Sequence, residues 1–334
     1  MNDKLVAFDM GESQVHLVYY ANKQVKKAVC GALPDNLVAN GEILSMDAMA
    51  DFLKEFTKQN GIPRAAAAVI LPDSLVFTRN VSVPLMTESQ LAYNLPYEFK
   101  DYLTHEKSDY FFDYAVQEPA ESEQPQAQEL KLFACATLKE TIAQYRGMFH
   151  RAGFKLKCAI PEEAAYAAIL RARIESGAQQ ATGTDTCFVD IGFNAIRMLF
   201  YQGDSFYSRR IINLGMKDVV LAIADARNVD AHMAYEYLRS NYEDVVNASA
   251  AVDLYQRMAV EIMKAINFYN YNNREQMLER IYLCGGGAGI VPLQTAIDNH
   301  IEAHIRSAEE LLPEKAQVEN PLLFIKALGC ALQE

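Results

Sequence analysis

Short apolar strings separated by polar turns open the chain. Leu5 to Asp9 is apolar and stops at Gly11, Val15-His16-Leu17-Val18-Tyr19-Tyr20 follows, and Gln24 to Leu33 returns with alternating character after a turn at Asn22-Lys23. That pattern predicts three strands joined by tight turns. From Ser45, a candidate N-cap, Met46, Met49, Phe52, Leu53 and Phe56 recur at helical spacing until Gly61 and Pro63. Ala65 to Leu71 is a continuous apolar run, as in a strand covered on both faces.

Residues 75–86 read as a further strand. Thr87-Glu88-Ser89-Gln90 is a capping box, after which Leu91, Leu95, Phe99 and Leu103 form one apolar helical stripe. Pro96 falls inside that stripe and is expected to kink or break the helix. Tyr110 to Val116 and Leu130 to Ala136 predict a strand pair, and the acidic, polar stretch 118–126 between them predicts a mobile loop. A helix over 137–152, a strand over 155–160 and an Ala-rich helix over 162–176 complete this half. Gly, Gln and Thr residues over 177–185 read as a linker.

The pattern then starts again without a gap. Asp9 matches Asp190, Gly11 matches Gly192, and Leu17-Val18-Tyr19 matches Met198-Leu199-Phe200, all at an offset of 190 − 9 = 181 residues. Each half therefore opens with a strand, Asp-x-Gly, a strand, a turn and a strand. The second half continues through helices over 216–274 and a strand at 281–284 that ends in Gly285-Gly286-Gly287. Two more helices follow, the last predicted to start at Asn320-Pro321 as N-cap and N1.

Composition narrows the function classes. There are 43 acidic and 31 basic residues, a net charge of −12, which repels phosphate backbones and predicts no nucleic-acid partner. Met1 to Asp9 is too briefly apolar for a signal peptide and no run reaches a membrane span, so a cytoplasmic location is expected. Cys30, Cys135, Cys158, Cys187, Cys284 and Cys330 are widely spaced and predict reduced, mostly buried thiols. His300 and His304 lack the H-E-x-x-H spacing of a zinc site. No G-x-S-x-G or Walker A loop supports hydrolase or P-loop chemistry.

Twin Asp-x-Gly hairpins can grip a polyphosphate. Gly admits close approach of an anion, and an Asp at a strand end can hold a hydrated Mg²⁺ through water. Glycines 285 to 287 leave bare backbone on which a flat ring and ribose could rest. In order, Asp9-Met10-Gly11, Glu162-Glu163-Ala164-Ala165, Asp190-Ile191-Gly192, Gly285-Gly286-Gly287-Ala288 and Leu328-Gly329 resemble the five ATP-site motifs of the actin, Hsp70 and sugar-kinase superfamily. Val83-Pro84-Leu85-Met86, Leu91, Tyr97-Glu98-Phe99, Tyr102 and Asp113-Tyr114 narrow the resemblance to the inserted subdomain of PilM-type proteins, actin-like proteins of type IV pilus assembly.

The resemblance implies an α/β, actin-like (ribonuclease H-like) duplicated two-domain fold with an inserted small subdomain. Residues 1–80 and 151–184 would form the first domain, 81–150 the insertion and 185–334 the second domain. Asp9, Gly11, Ser13, Asp190, Gly192, Glu261, Lys264, Gly285, Gly286, Gly287 and Ala288 would contact ATP. Asp9 and Asp190 would hold Mg through water, and Glu163 would orient the attacking water. The chain departs from the family where Lys usually stands at His16, and small residues at Glu12 and Phe193, which implies weakened ATP binding and little hydrolysis. Arg197 could supply a replacement cation or lie on a strand surface. The implied role is an adaptor at the inner or plasma membrane that binds the N-terminal cytoplasmic peptide of a PilN-like membrane protein. Tyr93 and Tyr97 are the candidate contacts, self-association is a further option, and the membrane is reached only through the partner. The alternatives are an active, filament-forming ATPase like FtsA, or a small-molecule kinase of the superfamily.

Overall fold

The computed structural model describes residues 4–34, 36–39, 41–117, 129–178, 185–273, 278–303, 305–312 and 318–333. The acidic stretch 118–126, most of the 177–185 linker and His304 lie outside them. The first lobe opens on β1 (Lys4–Met10), β2 (Gln14–Ala21) and β3 (Gln24–Ala32), paired antiparallel in that order. A ribbon of β4 (Val38–Ala39) and β5 (Glu42–Ile43) leads to α1 (Met46–Gln59), where the Ser45 hydroxyl accepts the Ala48 N–H. Then β6 (Ala66–Leu71) joins the free side of β1 in parallel.

The insertion follows. β7 (Phe77–Pro84), α2 (Glu88–Glu98), β8 (Tyr110–Gln117) and β9 (Glu129–Leu138) make a three-stranded sheet, order β7-β9-β8, with α2 laid on it. The capping box forms: the Gln90 N–H donates to the Thr87 hydroxyl and the Thr87 N–H to the Gln90 side chain, at 3.3 and 2.9 Å. Leu91, Leu95 and Phe99 are buried with Val81, Val83, Leu132 and Tyr110 in the insertion's own core. Pro96 does not break α2, because it lies in the final turn; the helix closes two residues later through i→i+3 bonds from Phe99 and Lys100. Leu103 is therefore outside the helix that the stripe predicted.

From β9 the chain enters α3 (Lys139–Ala152), which ends at left-handed Gly153 and buries Tyr145, Met148 and Phe149 in the first lobe's core with Phe8, Leu17 and Met49. This helix packs in the first lobe and not with the insertion, so the insertion's own sheet and core stop at β9. β10 (Lys155–Pro161) completes the sheet β10-β6-β1-β2-β3, and α4 (Glu162–Glu175) leaves it.

The second lobe repeats the device with β11 (Asp185–Ile191), β12 (Ile196–Gln202) and β13 (Ser205–Ile212). Three helices follow: α5 (Met216–Arg227), α6 (Ala231–Ser240) and α7 (Ser249–Asn272). Then come β14 (Leu278–Cys284), α8 (Val291–Asp298), the short β15 (Ile305–Arg306) and α9 (Ile325–Ala331). The sheet order is β13-β12-β11-β14-β15, with the same directions as the first. Register repeats too: Asp9 faces His16 across its hairpin, and Asp190 faces Arg197. Asn320 is left-handed and makes no side-chain cap; it begins a short 3-10 turn at Pro321–Leu323, and α9 starts only after it.

Two helices join the lobes by crossing over. α4 leaves the first sheet but lays Tyr166, Ile169 and Leu170 on the second, where Tyr166 stacks on Phe188 with centroids 4.4 Å apart. α9 leaves the second lobe but packs Phe324, Ala327, Cys330 and Ala331 on Ala7, Val18, Ala68 and Ile70 of the first. The helices touch where Gly329 meets the Ala165 backbone, and a Cβ at 329 would overlap the Ala165 carbonyl. Gly329→Ala should therefore cost about 1–3 kcal/mol by forcing the helices apart. Gly147, exposed in α3 with open space around it, should gain about 0.5–1 kcal/mol on change to Ala. Urea unfolding of both variants checks the pair of signs.

Candidate functional site in the interlobe cleft

The ends of β1 and β11 point into one cleft of about 460 Å³, within the range of small-molecule sites. Asp9, Gly11 and Ser13 line it from the first hairpin, Asp190 and Gly192 from the second, and Gly285 and Gly286 from the turn after β14. Each hairpin closes on its glycine: Gly11 N–H donates to the Gln14 carbonyl at 2.9 Å, and Gly192 N–H to Ala195 at 3.1 Å. The later glycines divide their work. Gly285 has φ +87° and its missing side chain leaves room for the Asp190 carboxylate, while Gly287 makes room for Ile191 and Met216. Gly286 alone of the three faces open space, and Ala288 is fully buried, so Gly287 and Ala288 are not placed on the cleft.

The charge at the centre comes from a residue that the motifs did not single out. Lys326, on α9, sends its ammonium between the twin aspartates, 3.0 Å from Asp190 Oδ2 and 3.6 Å from Asp9 Oδ2. Burial opposes charge on Lys326, but Asp190, Asp9 and Glu162 hold it protonated well above its ordinary range. Burial would likewise raise the Asp9 carboxyl, yet Lys326 and His16 hold it down to about 2. His16 Nδ1 lies 3.6 Å from the same carboxylate.

The acids of α4 divide differently from the expectation. Glu162 lines the cleft; Glu163 does not. Consecutive helical positions point about 100° apart, and Glu163 turns to the wall, where it accepts from Thr78 of β7 at 2.9 Å and Arg209 of β13 at 3.1 Å. Arg209 also pairs with Asp73 at 2.6 Å, and Arg197 lies 3.5 and 3.6 Å from Asp73 and Glu162. Arg197 is thus a cleft cation, tied to acids of the first lobe. Burial raises both Glu162 and Glu163 against these cations, Glu162 to about 8.

The remaining expected positions separate. Glu12 turns its carboxylate to the Gly41 N–H at 3.0 Å, which spends one oxygen on a neighbouring loop. Phe193 stands edge-on to Tyr235 of α6, and the Gln14 amide reaches the Tyr235 hydroxyl at 3.5 Å across the mouth. Glu261 and Lys264 do not line this cleft. They pair with each other at 2.6 Å on α7, because α6, through Tyr235, Leu238 and Arg239, forms the wall on that side. Tyr93 and Tyr97 lie far from the cleft on the outer face of α2, 70% and 47% exposed, with ring centroids 5.9 Å apart. Lys107 caps the Tyr97 ring at 3.3 Å.

The cleft contains unmet polar demand. Asn194 Oδ1 is buried there without a hydrogen-bond partner, while His16 Nδ1, Asp73 Oδ2, Glu162 Oε1 and Asp190 Oδ2 have only the ion-pair neighbours at 3.0–3.6 Å already described. A nucleotide fits by size, by open backbone at Gly286 and by the cations Lys326 and Arg197. A Mg²⁺ ion held between Asp9 and Asp190 does not fit, because the Lys326 ammonium stands there. Among the described residues, no three His, Cys, Asp or Glu side chains converge as metal ligands.

The chain matches the family model of type IV pilus assembly protein PilM over residues 7–322, and it belongs to that family. The fold is actin-like. A solved PilM–PilN type IV pilus biogenesis complex contains a chain with TM-score 0.80 and 21% identity, covering 98% of this chain and 97% of that one. The ethanolamine utilization protein EutJ of Carboxydothermus hydrogenoformans gives TM-score 0.62 at 13% identity, over 98% and 88%. An archaeal actin homologue gives 0.51 at 11%, over 99% and 98%. Comparison with curated protein sequences returned no match.

The buried acids set a pH dependence. Glu162, raised from 4.5 to about 8, keeps in the folded state a proton that the unfolded chain releases. Its contribution is complete below pH 4.5 and is lost as pH rises through about 8. Stability should therefore fall across that window, and Glu162→Gln should shallow the slope while leaving the share due to Glu163. Urea midpoints measured over a pH series check it; an unchanged slope would place the proton elsewhere.

Proposed function

We propose that this chain is an adaptor of type IV pilus assembly that captures the N-terminal cytoplasmic peptide of a PilN-like membrane protein, with ATP in the interlobe cleft as a structural or regulatory ligand. The family match over residues 7–322 carries the reading, and the similar chain in the PilM–PilN complex supports the choice of partner. Among the described residues no helix is long and apolar enough to cross a membrane, in keeping with a protein that reaches the membrane through its partner.

The exposed face of α2 supports the insertion as the peptide's seat. Leu91 and Leu95 are spent on the insertion's core, whereas Tyr93 and Tyr97 present apolar rings with polar tips to solvent. A short peptide loses freedom on binding, so its affinity must come from a few such anchors. Bound ATP would supply negative charge for Lys326 and Arg197 and a polyphosphate bridge between the hairpins. Efficient hydrolysis is disfavoured: Glu163 is committed to Thr78 and Arg209 outside the cleft.

Changing both Tyr93 and Tyr97 to Ala should leave the melting temperature nearly unchanged, since neither ring enters the core. It should weaken capture of the PilN-like peptide about tenfold or more, a cost of about 1.4 kcal/mol. Calorimetry with the synthetic peptide measures this. Parent-like affinity would move the groove elsewhere, and unfolding would show that the rings are packing residues.

A further inference from the structure

We propose that Lys326 is the resident cation of the cleft, standing between Asp9 and Asp190 in place of a hydrated divalent ion, so that a phosphate ligand enters without metal. The second clause rests on the nucleotide reading above; the first does not.

Two observations carry it. The ammonium lies within ion-pair distance of both loop carboxylates, at 3.0 and 3.6 Å, although these belong to different lobes and stand 181 residues apart. The side chain cannot readily swing away, because it is only 20% exposed and α9 is pinned beneath it by Phe324, Ala327, Cys330 and the Gly329 contact with Ala165.

The charge count agrees. Two carboxylates face one ammonium and the His16 ring, with Glu162 and Arg197 as the next ionisable neighbours. A divalent ion placed on the same two carboxylates would meet a fixed like charge at contact distance. Evicting the ammonium would leave it buried without a partner, and sharing the acids would divide their field between both cations. A phosphate, by contrast, meets a cation already aimed into the cleft, with no ion to recruit first.

The test uses the full chain freed of metal by chelation, with Mn²⁺ as the probe and electron paramagnetic resonance as the readout. The parent should show no Mn²⁺ site that depends on Asp190. Lys326→Met should gain one, tighter by at least about tenfold, and Lys326→Met with Asp190→Asn should lose it. A parent site abolished by Asp190→Asn overturns the proposal, as does a folded Lys326→Met protein that gains none. If Lys326→Met fails to fold, the parent titration decides alone: an Asp190-dependent site sinks the proposal and its absence supports it. Calorimetry of the parent with ATP, in EDTA and then in Mg²⁺, tests the second clause. Equal affinity is expected, and marked tightening by Mg²⁺ overturns it. Failure to bind ATP at all would remove the nucleotide reading and leave the Mn²⁺ result standing.

Discussion

The crossing of α4 and α9 at Gly329 and Ala165 is the contact on which the rest of the architecture depends. Each sheet must cover two apolar faces. Its outer face is met by helices of its own lobe, and its inner face is met by a helix that the other lobe contributes. Two helices can serve two facing sheets in so narrow a gap only if their backbones touch, which a side chain at 329 would forbid. The exchange has a geometric consequence. It brings the N-terminus of α4, with Glu162, and the first turn of α9, with Lys326, to the same level as the aspartates that end β1 and β11. Core packing thus decides which charges share the cleft.

Once assembled, these charges are mutually dependent. Ion pairs on an open surface contribute little, because water screens them and ordering both side chains costs entropy. Those that join Asp73 and Glu163 to Arg197 and Arg209 are different: Glu163 is 1% exposed and the arginines about a third or less. Removing one partner would strand a buried charge. Arginines of the second lobe hold acids of the first, so opening the lobes would break several desolvated pairs at once. Burial goes further with Glu162, which prefers to keep its proton, and the excess of acids that the sequence places around the cleft is correspondingly less negative than its composition.

The duplicated hairpins were legible because strand pairing has period two and a fixed register. An Asp in the same place relative to Gly and to the apolar alternation must recur in the same place on its sheet. Core residues of α2 were legible for the equivalent helical reason. Lys326 was not singled out, although a signal existed: it is the lone charge in Leu322-Leu323-Phe324-Ile325-Lys326-Ala327-Leu328, and a single cation in an otherwise buried helix needs a partner. The choice between Glu162 and Glu163 was not legible, since adjacent helical positions differ only in direction. Nor was the placement of Glu261 and Lys264, which resemblance put beside a nucleotide without knowledge of where α6 would run. The partner of α3 was not legible either: it is amphipathic in any setting, and only the fold shows that its apolar face meets α1 and Phe8.

The insertion is also joined to the second lobe, although the chain on both sides of it belongs to the first. Its side chains Asn80 and Gln117 donate to the Phe206 carbonyl at 2.9 Å, Asn80 also reaches Tyr207, and Phe133 packs edge-on against Phe206. Thr78, on the same strand as Asn80, holds the Glu163 that Arg209 of β13 also holds. One edge strand, β13, therefore touches the insertion and the acid cluster together. Contact alone transmits nothing; a ligand shifts an equilibrium only by its difference in affinity between two states. The arrangement does fix where such a difference would have to arise. A ligand that drew Arg197 toward its own charge would change the balance at Asp73 and Glu162, and through Arg209 and Glu163 the seat of β7 beneath α2. A ligand that left those pairs undisturbed would leave the aromatic face as it stands.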